Sequence, residues 1–160
     1  GISLEQMGAL LGIGGFIAGL SGALLGGWLA GRFPRATALM LFLALETCAM
    51  LGYTLVSEGE IVTVWLAVIA EHVAGGMATA ALFTVMMDRC REHSEGADYA
   101  FQSCVVIITG MVAGALSGYS ATHIGYAGHF TVAAALCAAV ISIVVMAQRR
   151  GLFLTLRFSH

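Results

Sequence analysis

The chain has 160 residues, of which 59% are hydrophobic and only 10% charged, with a formal net charge of −2 and a mean hydropathy of +0.93. A soluble domain carries about 25% charged residues, so this composition excludes an ordinary soluble enzyme and marks an integral membrane protein. There is no lysine and no basic patch of the kind that recognises nucleic acid.

Five apolar runs can be drawn in chain order: 7–30, 37–56, 61–87, 99–122 and 126–147. Each is long enough to cross the hydrocarbon core, which takes about 20 residues at about 1.5 Å per residue. Inside lipid every backbone group must be satisfied within its own segment, so the runs are predicted to be helices. The fold class is therefore all-α and polytopic. Short connections make consecutive helices antiparallel neighbours.

The first run is rich in glycine, with Gly8/Gly12, Gly15/Gly19 and Gly22/Gly26 at four-residue spacing. In the fourth run, Gly110, Gly114 and Gly118 repeat that interval. Such notches let helix backbones approach closely where lipid supplies no hydrophobic drive between helices. Both ladders are expected to be packing surfaces.

Arginine sets the orientation. Arg32 and Arg35 follow the first run, Arg89 and Arg91 the third, Arg149 and Arg150 the fifth. The opposite connections carry Glu58 and Glu60, then His123 and His129. The excess of positive charge on cytoplasmic loops puts all the arginine-bearing ends, and the tail 148–160, in the cytoplasm. Tyr53, Trp65, Tyr119 and Tyr126 then lie near the outer ends as interfacial anchors, with Trp28 and Phe33 near an inner one. Asp88 with Arg89, and Asp98 with Arg91, are expected to form cytoplasmic ion pairs that act as gates. The chain opens at Gly1 directly before an apolar run, which suggests part of a larger protein.

The third run carries Glu71 and His72 near its middle. Ionisable groups at that depth cost about 2.5–3.5 kcal/mol each on insertion scales, so they face protein or water and mark function. At 100° per residue both flank a seam of small residues that includes Ala74, Gly75 and Gly76. They point about 100° apart, so contact between them does not follow from spacing. Glu46, midway through the second run, is a second candidate by the same cost. Gln102, near the inner end of the fourth run, is a third. Cys48, Cys90, Cys104 and Cys137 have no paired spacing; they read as structural thiols, and no metal site is assigned.

The segment from Gly27 to Arg35 resembles the loop motif of the major facilitator superfamily, Gly-x-Leu-Ala-Asp-Arg-x-Gly-Arg-Arg. Gly27, Leu29, Ala30, Arg32 and Arg35 match; Gly31 replaces the acid, Pro34 the second glycine and Ala36 the last base. A degraded copy of this motif lies between the eighth and ninth helices of that family, and four runs follow it here. The resemblance thus implies the C-terminal portion of a twelve-helix fold, helices eight to twelve. The stretch from Glu71 to Thr84, then Met86-Met87-Asp88 and Asp98-Tyr99-x-x-Gln102, is similar to the branch holding muropeptide and siderophore permeases, and more so to its siderophore-uptake members.

That resemblance implies alternating access between two six-helix halves around a midplane site. The expected function is proton-driven transport of a small organic solute such as a ferric siderophore, or alternatively a muropeptide, across a bacterial inner membrane. No cofactor is expected beyond a proton gradient; the partners are the lipid bilayer, the solute and the missing N-terminal half. Glu71, His72, Glu46 and Gln102 would carry the proton or meet the substrate.

Two readings compete. Gly19-Leu20-Ser21-Gly22 and His72-x-x-Gly75 are similar to the serine and histidine motifs of rhomboid intramembrane proteases, in which Ser21 activated by His72 would be the nucleophile. A non-transporting five-helix subunit is the other.

Overall fold

The computed structural model describes residues 3–55 and 61–152. Glu58 and Glu60, and the tail from 153 onward, lie outside the described residues. Everything described is helix or short turn, and four helices are long and apolar enough to cross a membrane.

The first rod comprises α1 (Leu4–Gly8), a π-helical turn (Ala9–Gly14) and α2 (Gly15–Ala30). Ser3 caps its start in a reciprocal box with Gln6, each side chain bonding the other's backbone N–H. At the far end the Arg32 guanidinium lies 3.3 Å from the centre of the Trp28 ring and donates to the Trp28 carbonyl. Pro34 then fixes the turn into α3 (Arg35–Gly52), which tightens into a 3₁₀ turn at Tyr53–Leu55. The next helix, α4 (Ile61–Asp88), is close to the run anticipated for it.

The last two apolar runs form a single element, α5 (Glu95–Arg149), interrupted where Gly125 takes φ 71° and ψ 168°. The chain reverses there. Residues twelve apart on a straight helix are separated by about 18 Å, yet Ser117 Oγ lies 3.0 Å from His129 Nε2. Only glycine adopts that backbone region readily, because any Cβ would clash.

The centre of the assembly is α4, with α2 packed along one side and α3 along another; the second arm of α5 packs on α3. Tyr53 stacks on Phe130 at 4.2 Å across that contact. Ala30, Ala36, Ala38, Leu39, Phe42, Met77, Ala81 and Val144 form the buried core, all in the half of the bundle that bears the arginines. The glycines of α2 explain how close the helices come. A Cβ on Gly26 would stand 2.5 Å from the Met77 Cα, and Gly22 and Gly76 are in backbone contact with Val73 and Gly19 respectively.

The second glycine ladder behaves differently. Nothing lies within 4 Å of a Cβ at Gly110, Gly114 or Gly118 among the described residues, so the packing role expected for them is not met by this part of the chain. The first arm of α5 touches α4 near its start, where Tyr99 meets Phe83 edge-on. Beyond Gln102 its large side chains, such as Ile107, Ile108 and Met111, are exposed.

Candidate functional site

The helices bring three of the anticipated polar residues to one level of the bundle. His72 Nδ1 lies 2.6 Å from Glu71 Oε2 and 2.9 Å from the Val68 carbonyl oxygen. Two acceptors face that nitrogen, so Nδ1 carries hydrogen and donates to both. The imidazole Nε2 points across to α2. A Cβ on Gly15 would sit 2.6 Å from it. Gly15 is therefore glycine because the ring occupies the space a side chain would need.

Glu46 enters from α3. It is buried, with 9% of its surface exposed, and its carboxyl rests on bare α4 backbone. A Cβ on Gly75 would stand 3.5 and 3.6 Å from Oε2 and Oε1. Oε2 has no hydrogen-bond partner among the described residues. Glu71 acts on Glu46 electrostatically, the Tyr53 hydroxyl lies in the field of both acids and the Cys137 thiol in that of Glu46. Two carboxyls and an imidazole thus share a low-dielectric contact between α2, α3, α4 and the second arm of α5, an arrangement able to hold and pass protons.

Gln102 is not part of this cluster. Its amide reaches the carbonyls of Met86 and Asp98 and the Cys90 sulfur, tying the start of α5 to the end of α4. That point is fifteen residues along α4 from Glu71, about 22 Å. Asp88 also has a partner that spacing does not suggest. Its carboxylate pairs with Arg35, at 2.7 Å, because the start of α3 is packed beside the end of α4. Arg35 also donates to the Ala30 carbonyl, satisfying an orphan acceptor at the end of α2. Asp98 pairs bidentately with Arg91 and accepts the Arg91 backbone N–H. The carboxylate beside it raises the Arg91 guanidinium above its ordinary range.

Ser21 is exposed, on the face of α2 away from α4. The His72 ring meets α2 at Gly15, six residues earlier and about 9 Å along the axis. The serine–histidine dyad of the protease alternative is not assembled.

Sequence reasoning missed the seat that Gly75 provides, the inclusion of Tyr53 and Cys137, and a second polar cluster in the α5 hairpin. There His129 bonds Ser117 through Nε2 and Ser120 through Nδ1, the latter at 2.6 Å. The only available signal was two serines at a helical spacing of three.

Comparison with known proteins fits this picture. The anhydromuropeptide permeases of Escherichia coli strain K12 and Escherichia coli O157:H7 are each 28% identical to the chain over 134 residues, 81% of this chain. The likeness is to a permease. The matched region spans 27% of the length of those relatives. No protein-family model matches the chain, and no solved structure does. A membrane-embedded helical segment similar to a transporter accounts for both the composition and the fold.

Proposed function

We propose that these residues belong to the C-terminal half of a major-facilitator secondary transporter that carries a muropeptide-like cell-wall fragment across a bacterial inner membrane. The two arms of α5 each cross the bilayer, giving five crossings that correspond to helices eight to twelve, with the arginine-bearing ends and the C-terminus in the cytoplasm. Transport proceeds by alternating access and is driven by protons. The siderophore cargo anticipated from sequence gives way to the muropeptide, because the similar permeases are named for that solute.

The observation that carries the reading is the Glu71–His72 pair, closed at 2.6 Å beside the buried Glu46. A bundle needing only to hold together would not place three ionisable groups at one helix contact, where each costs about 2.5–3.5 kcal/mol on insertion scales. The test is uptake of radiolabelled anhydromuropeptide by cells making the full-length protein, with and without a protonophore. Accumulation that the protonophore abolishes is expected. Uptake no greater than in cells lacking the gene refutes the function, and uptake indifferent to the protonophore refutes the coupling.

A further inference from the structure

We propose that Glu46, and not the more conspicuous Glu71, is the residue that carries the coupled proton, an inference that rests on the transport function proposed above. Glu46 is the one charged side chain buried among the described residues. Its Oε2 receives no hydrogen bond there. Both oxygens lie against Gly75, where α4 offers a carbon–hydrogen surface in place of a donor.

The titratable groups that interact with it electrostatically come from three elements: Glu71 from α4, with His72 paired to it, Tyr53 from the end of its own α3 segment, and Cys137 from α5. The basic group among them is His72, whose Nδ1 is committed to Glu71 and the Val68 carbonyl. The arginine on α3 itself, Arg35, is eleven residues away, about 16 Å along the axis, and is held by Asp88. A buried carboxylate left without a cation keeps a large desolvation penalty even after local relaxation. The neutral acid avoids that cost.

The two carboxyls therefore divide the work. Glu71 has a local hydrogen-bond partner in the His72 imidazole, 2.6 Å away on the same helix, whichever way the transporter faces. Glu46 has none, so it is accommodated in this packing as the carboxylic acid. When α3 and α4 part, water reaches the Gly75 seat, the O–H bond breaks heterolytically, the proton leaves to water and the carboxylate remains hydrated. Reclosure requires a proton to be taken up again. Burial of the site is in this way conditional on protonation, which is what couples a proton gradient to the change of access.

The experiment uses the full-length protein in proteoliposomes with radiolabelled anhydromuropeptide, comparing wild type, Glu46→Gln and Glu46→Asp. Glu46→Gln mimics the protonated acid, so it is expected to keep solute counterflow while losing accumulation driven by a pH gradient. Glu46→Asp is expected to retain gradient-driven accumulation with a displaced pH profile. Gradient-driven accumulation in Glu46→Gln equal to that of wild type overturns the assignment. A Glu46→Gln protein that does not fold also overturns it, because the neutral amide is nearly isosteric with the form the proposal requires. Wild type without counterflow refutes the transport function itself, and so separates that failure from a failure of the assignment.

Discussion

Replacing Gly26 by alanine tests the helix contact on which the whole site depends. The added Cβ would stand 2.5 Å from the Met77 Cα, 2.9 Å from its carbonyl oxygen and 3.0 Å from its Cβ. Carbon atoms prefer about 3.5–4.0 Å, so α2 and α4 must separate by about 1 Å. The obstruction is backbone, which cannot swing aside as a long side chain can. Overpacking of this kind typically costs about 1–3 kcal/mol. The neighbouring Gly27 is the control, since a Cβ there meets nothing within 4 Å and alanine gains roughly 0.5–1 kcal/mol of helix preference over glycine. Thermal unfolding of the full-length protein in detergent should therefore place Gly26→Ala below wild type and Gly27→Ala at or above it. Equal midpoints for the two variants would refute the close approach of α2 to α4.

Gly75 and Gly76 are adjacent in sequence and should part company in the same assay. Alanine at Gly76 would meet the Ala23 nitrogen at 2.9 Å and the Gly19 backbone, so Gly76→Ala should lose about 1–3 kcal/mol, whereas Gly75→Ala makes only ordinary contact with Glu46 at 3.5 Å and should unfold close to wild type. Gly125→Ala places a Cβ in a backbone region reserved for glycine and should cost about 1–3 kcal/mol; cysteines introduced at Ser117 and His129 would report the hairpin directly, cross-linking in the Gly125 background and less readily in Gly125→Ala.

How much of this was legible beforehand depends on how far each property reaches along the chain. Spans are readable because lipid imposes the same demand on every residue of a crossing, and α4 follows its apolar run nearly to the residue. The reversal at Gly125 was readable as a gap between two apolar runs, although the single strained glycine that makes it was not. Contact between Glu71 and His72 was left open by the 100° between them, and their flexible side chains close it to 2.6 Å. Partners distant in sequence were beyond reach: Asp88 has an arginine beside it at Arg89, yet pairs with Arg35 fifty-three positions away.

The two glycine ladders show why. Gly22–Gly26 and Gly110–Gly114 carry the same four-residue spacing, but the first is pressed against α4 while the second meets nothing among the described residues. Small residues at that interval state that a helix can be approached closely, and their pattern carries no information about what approaches it. The same separation governs the acids. Glu46 and Glu71 read alike as mid-span carboxylates with the same insertion cost, and the difference between them lies in what stands beside each carboxyl: the imidazole of its own chain neighbour for Glu71, a bare glycine of another helix for Glu46. A charge balance inside a membrane is thus a property of packing, and it is packing that selects which of two similar acids is left to be balanced by a proton.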